Sequence, residues 1–141
     1  MMRTIILPGE PISQKRPRIF GKGAMDPCWQ AKEQHRSYIR DKYPHFDLLT
    51  TAISVTFIYL FEYPKSMSKN KRYIHFKETR PDIDNLNKYI MDMGNGVLWC
   101  DDSIIVNEDS AKMYGDKDLT ILHIRHVDAS NLTRVLEKMK V

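Results

Sequence analysis

Apolar and polar positions alternate most clearly over Ala52–Phe61. Ile53, Val55, Phe57, Tyr59 and Phe61 fall on one side, and Ser54, Thr56, Ile58 and Leu60 on the other. A period of two predicts a strand. Apolar residues on both sides of its second half predict that it is a central one. Thr4–Leu7 is a shorter β-branched run stopped by Pro8-Gly9, and predicts a strand and a turn. Lys112–Tyr114 and Leu119–His126 predict two further strands, joined at Gly115–Asp118 as a hairpin. Tyr73–Phe76 is short enough to be a strand or an extended lead-in, and Ile104–Val106 a helical turn or the start of a strand.

Three stretches follow the helical period. Trp29–Lys42 has no Gly or Pro and carries a rough apolar stripe of Trp29, Ala31, His35, Tyr38 and Ile39. Trp29 is expected in the core. Asp84–Met93 is a second helix, barred from starting earlier by Pro81 and ended by Gly94-Asn95-Gly96. Asn131–Lys140 is a third, capped by Ser130 or Asn131. Between the first strand and the first helix, Pro11 to Pro27 predicts a long loop, of a length that is usually functional or mobile. These elements predict one small domain over residues 1–141, of α/β (α+β) class, with a mixed sheet packed by helices.

Length and composition agree with this. The chain has 141 residues, 42% hydrophobic and 28% charged, which is globular rather than disordered composition. No apolar run approaches the ~20 residues of a membrane span. Two cysteines are too few for a disulfide scaffold and suit a reduced cytoplasmic setting. The net charge of +4 is unevenly distributed. Residues 1–80 hold 15 basic and 7 acidic side chains, residues 81–118 hold 3 and 9, and the remainder 4 and 2. A basic half beside an acidic segment points to nucleic acid.

The acidic segment opens Arg80-Pro81-Asp82-Ile83-Asp84-Asn85-Leu86-Asn87-Lys88. Asp82 and Asp84 flank one residue at the mouth of a helix. Two like charges held there call for a divalent cation, and hard cations prefer oxygen. With Asp84 at 0° on the helix, Lys88 falls near 40° and Asp92 near 80°, opposite an apolar face of Leu86, Tyr89, Ile90 and Met93. The plainer account of that face is an i,i+4 ladder of salt bridges, Asp84–Lys88–Asp92. A second acidic pair, Asp101-Asp102, follows a glycine turn that sends the chain back toward the first. Carboxylates with a lysine suit phosphodiester hydrolysis: a metal polarises the phosphate and acidifies water, and the lysine offsets developing charge. Other chemistries find no footing. An EF-hand would need glycine where Asn87 stands. The cysteines and histidines are scattered rather than spaced for zinc. No Walker loop or dinucleotide fingerprint calls for an organic cofactor.

At these residues the sequence resembles the RusA family of Holliday junction resolvases of bacteria and their phages. The likeness rests on Asp82-Ile83-Asp84-Asn85-Leu86-Asn87-Lys88, Asp92, Gly96-Val97-Leu98-Trp99 and Asp101-Asp102-Ser103, with Pro8-Gly9-Glu10-Pro11 and Gln14-Lys15-Arg16-Pro17-Arg18 upstream. The resemblance implies a homodimeric, Mg²⁺-dependent endonuclease, with Mn²⁺ an acceptable substitute. Such an enzyme cuts four-way DNA junctions by paired nicks, in recombination and repair. It implies Asp82, Asp84 and Asp102 as metal-binding catalytic carboxylates and Lys88 as the catalytic lysine. Asn85, Asp92 and Asp101 are accessory candidates, and Asp101 is the alternative to Asp102. Lys15, Arg16, Arg18, Lys69, Lys71, Arg72 and Arg80 are candidates for DNA phosphates, and Phe20 and Trp29 are aromatic candidates to stack at an opened junction, with the core the favoured place for Trp29. Two other functions fit the same residues: a nuclease on other branched DNA or on RNA, and a junction-binding protein in which the acids are structural.

Overall fold

The computed structural model describes residues 2–140. Its strands are β1 (Met2–Pro8), β2 (Arg18–Phe20), β3 (Gly23–Met25), β4 (Ile53–Glu62), β5 (His75–Phe76), β6 (Ile105–Gly115) and β7 (Leu119–His126). The helices are α1 (Trp29–Lys42), α2 (Ile83–Gly94) and α3 (Ser130–Lys138). Five strands form a mixed sheet in the order β1-β7-β4-β6-β5, and β2 with β3 forms a separate hairpin.

β4 is central, as its two-sided apolar pattern predicts. It runs antiparallel to β7 on one edge and parallel to β6 on the other. A parallel neighbour cannot be reached by a tight turn, so the chain crosses over through α2. The expected hairpin between β6 and β7 does not form, because β4 lies between them. The Gly115–Asp118 segment instead bridges over the end of β4: Tyr63 N–H donates to the Gly115 carbonyl at 3.1 Å, and Glu62 N–H to Asp118 Oδ1 at 2.8 Å. An adjacent pair of strands in sequence reads as a hairpin unless a more apolar strand takes the place between them.

One face of the sheet is the core. Ile53, Val55, Phe57, Tyr59 and Phe61 of β4 lie beside Leu122 and Ile124 of β7 and Ile5 and Leu7 of β1, all buried. Ile39 of α1 and Leu86, Tyr89, Ile90 and Met93 of α2 close over them. The tryptophan in this core is Trp99, fully buried, whereas Trp29 is half exposed, contrary to the expectation from its place at the start of the stripe. The turn of α1 that faces inward carries Lys32 instead, at 3% exposure.

Two loops behave differently from the sequence pattern. The stretch expected to be a loop contains the hairpin, because Gly21 adopts a positive φ of 58° and turns the chain between Phe20 and Gly23. The first turn of α3 is capped from Asp128, whose carboxylate accepts the Ser130 N–H at 2.9 Å; Ser130 itself lies within the helix, and the Asn131 side chain lies outside the described residues.

Candidate active site

α2 begins where the sequence requires it to. Pro81 keeps the preceding residue out of helical conformation, and Asp82 stands at the N-cap position with extended backbone (φ −73°, ψ 142°). The Asp82 carbonyl accepts the first helical bond, from Leu86 N–H at 3.2 Å. Leu86, Tyr89, Ile90 and Met93 then bury one side of α2 and leave Asp84, Lys88 and Asp92 on the other, at one cleft. Lys112 secures the entry, donating from Nζ to the carbonyls of Thr79 (2.7 Å) and Pro81 (2.8 Å).

The C-terminal end of α2 is held by close packing. Trp99 lies on Gly94 so tightly that a Cβ there would stand 2.4 Å from Cζ2 of the ring. Its Nε1 donates to the Met91 carbonyl at 3.0 Å. Leu49 N–H donates to the Leu98 carbonyl, and Cys100 N–H to the Leu49 carbonyl, which fixes the return path of the chain. That path delivers Asp102 to the cleft. Asp101 has a local role: its Oδ2 accepts the Ser103 N–H at 3.0 Å, and the hydrogen bonds from Ser103 hold its carboxyl below the usual range.

The cleft has a volume of about 490 Å³. Asp84, Lys88 and Asp102 line it, joined by Glu108 from β6. Asp82 does not line this cleft; it lines a separate recess with Arg16, Arg80 and Asn85. Nothing local in the sequence singles out Glu108. Strand alternation puts it on the same face as Ser110 and Lys112, under α2. Buried Asn87 accepts from the Tyr59 hydroxyl at 2.7 Å, donates to Ser110 Oγ at 2.8 Å and reaches Glu108 Oε2 at 3.5 Å. Burial, and after it the charge of Glu108, pushes the Tyr59 phenol far up, so it remains a neutral donor.

Asp92 is differently placed. Its Oδ2 lies 2.6 Å from Lys32 Nζ, which also lies 2.5 Å from Asp26 Oδ2. Asp26 accepts further from Cys28 N–H and from Gln14 Nε2, each at 2.9 Å. Burial raises the Asp26 carboxyl, but the hydrogen bonds from Lys32, Cys28 and Gln14 outweigh it and bring it to about 2. Burial likewise disfavours the Lys32 ammonium, yet its two carboxylates hold its pKa above the ordinary value. The i,i+4 ladder is therefore not what this face builds. Among the described residues Lys88 makes no ion pair, and Asp92 turns to Lys32. Lys32 and Asp26 carry no sequence signal, since a lysine amid polar helical residues reads as solvated.

The basic candidates divide as well. Arg16 and Arg80 line the recess beside Asp82. Lys15 and Arg18 are exposed on the approach to the hairpin and on its first strand. Lys69 and Lys71 are exposed on a separate 3₁₀ turn. Arg72 donates to the carbonyls of Met67 (3.1 Å) and Lys65 (3.5 Å), bracing its own loop.

A metal is testable against these donors. The cleft offers carboxylate oxygens and no thiol or imidazole, a set that fits a hard divalent cation. Among the described residues, no group of three or more Asp, Glu, His or Cys side chains is placed to hold a metal ion by itself. Asp84, Asp102 and Glu108 line the cleft without forming a preformed cage.

Comparison with known proteins gives two results. The family model described as endodeoxyribonuclease RusA matches residues 8–125. The chain is also similar to the uncharacterized protein YqaN of Bacillus subtilis (strain 168), at 29% identity over 133 residues, covering 86% of this chain and 94% of that protein.

Proposed function

We infer the function from one premise: the chain belongs to the RusA endodeoxyribonuclease family. We propose that it is a Mg²⁺-dependent, structure-selective endodeoxyribonuclease that resolves four-way DNA junctions by paired nicks, acting as a homodimer in the cytoplasm. The observation that carries this reading is the cleft where Asp84, Lys88 and Asp102 meet without a protein cation bound to either carboxylate among the described residues.

Asp84 and Asp102 of the cleft, with Asp82 two residues before Asp84, are the candidate ligands for Mg²⁺, or for Mn²⁺ in its place. The bound ion would supply Lewis acidity toward a phosphate oxygen and acidify a water. Lys88 stands on the same face one turn from Asp84 and offers positive charge to the phosphoryl oxygens. Arg16 and Arg80 present cationic groups beside Asp82, suited to the phosphates flanking the cut. Such contacts raise affinity without reading sequence, and their strength falls as salt rises. Asn85 contributes its backbone: its carbonyl accepts the Gln14 N–H at 3.0 Å and so ties the basic N-terminal segment to α2.

The test is to incubate the protein with a synthetic four-way junction and with matched linear duplex, in Mg²⁺ or in EDTA. Paired nicks in the junction, in Mg²⁺ alone, are the expected result. Equal cutting of duplex and junction would overturn the resolvase reading in favour of a less selective nuclease. Tight junction binding without cutting would favour the non-catalytic alternative.

A further inference from the structure

The hairpin of β2 and β3 is unusual in this molecule. All six of its strand residues are exposed, and among the described residues it pairs with no other strand. An isolated two-stranded hairpin is marginal in water. It nevertheless displays Ile19 at 80%, Phe20 at 61% and Met25 at 46% exposure. Phe20 and Met25 share one face with Arg18, which lies opposite Met25 and two residues before Phe20.

The foot of the hairpin is fixed as firmly as its tip is free. Gln14 before β2 and Asp26 after β3 are hydrogen-bonded to each other at 2.9 Å. Gln14 is also tied to α2 through the Asn85 carbonyl, and Asp26 through Lys32 to Asp92. Pro17 and Asp26 line the same cleft as Asp84, Lys88 and Asp102. The hairpin therefore rises from the rim of the cleft. Between Pro11 and Met25 there are four basic residues and no acidic one.

We propose that this hairpin is a DNA-engaging surface whose apolar tip, led by Phe20, packs on a base unstacked at a branch point beside the scissile phosphate. The inference rests on the nuclease reading above and adds a source for its selectivity. Charge complementarity selects a nucleic acid over an apolar partner, because Lys15 and Arg16 on the approach, Arg18 on β2 and Lys22 in the turn are all basic. Continuity with the cleft selects the bound substrate over a remote ligand. An intact duplex offers phosphates to such a surface but no open base face. A branch point offers both, and aromatic side chains stack on exposed bases in a sequence-tolerant way.

The test uses the full chain in EDTA, so that binding is read without cleavage. A four-way junction carries 2-aminopurine at the branch, and a control carries it within a duplex arm. The wild-type protein should raise emission at the branch and not in the arm. Phe20→Ala should lose most of that rise and about tenfold of the preference for junction over duplex. Phe20→Tyr, which keeps the ring, should retain both. The hairpin stands outside the core, so neither variant should alter the melting temperature. An undiminished rise with Phe20→Ala would overturn the inference while leaving the nuclease reading intact. So would a fall in molecular mass by light scattering with Phe20→Ala, which would assign the tip to contact between copies of the chain. If the wild type fails to bind the junction at all, the function reading falls first and this inference with it.

Discussion

Two sets of carboxylates lie along α2, and they differ in what stands beside them. Asp92 and Asp26 close on Lys32, which is almost wholly buried, at 2.6 and 2.5 Å. Asp84, Asp102 and Glu108 line the same cleft beside Lys88, and among the described residues none of the three makes an ion pair. The residue types are the same, and two of these acids share one helix face two turns apart. Only the first set has its charge met from within the chain. Satisfied carboxylates hold a structure together, whereas unsatisfied ones are available to a cation or a phosphate-bound water. The difference between the sets lies in a lysine from another helix.

That contrast can be broken at several points. The largest expected effect is on catalysis. Asp84→Asn should lower junction cleavage by about 10²–10³-fold and leave the melting temperature nearly unchanged, as for an exposed substitution, which typically costs within about 0.5 kcal/mol. Single-turnover cleavage and thermal denaturation on the same preparation would check it.

Next is the clamp. Breaking a fully buried ion pair by removing one partner costs about 3–5 kcal/mol, and here both carboxylates reach solvent, so Lys32→Met should cost about 2–3 kcal/mol. Denaturant unfolding would measure this. A loss under about 0.5 kcal/mol would show that the clamp is ornamental to stability.

Gly94→Ala tests the scaffold beneath the cleft. A Cβ 2.4 Å from the Trp99 ring must displace it, at about 1–3 kcal/mol for overpacking. Because Trp99 fixes the return path to Asp102, cleavage should fall more than stability alone explains. Comparing rates well below the melting temperature would separate the two.

The smallest effect is in pH. The Asp26 carboxyl lies at about 2 rather than 3.8, so its contribution is complete above pH 3.8 and is lost as pH falls through about 2. The Lys32 pKa is raised above 10.5, so its contribution is present below pH 10.5 and is lost as pH climbs past the raised value. The clamp is thus intact across the neutral range. Asp26→Asn should flatten the acid limb of a stability profile while wild type declines there.

Much of this molecule was legible in its sequence. The period-two run marked β4 as central, and the Pro81 and Gly94 signals bounded α2 to within a residue. The Asp82–Lys88 segment pointed to the cleft and to the family. What escaped has a common cause: it depends on which residues meet across the fold. The β6–β7 hairpin failed because β4 intervenes. Lys32 looked solvated because only Asp26 and Asp92, distant in sequence, make its burial tolerable. Glu108 lay unnoticed among strand residues because nothing local says that α2 will cover that face. Trp29 reads as a core residue because the apolar stripe on α1 is weak enough to admit the wrong phase.

The separation of roles between the two carboxylate sets is tested most directly by measuring cleavage and melting temperature together for Asp84→Asn and Lys32→Met. The account predicts opposite results: Asp84→Asn folds like wild type and cuts about 10²–10³-fold more slowly, and Lys32→Met melts well below wild type and still cuts at temperatures where it is folded. An Asp84→Asn protein that cuts at the wild-type rate, or a Lys32→Met protein that keeps wild-type stability, would contradict it.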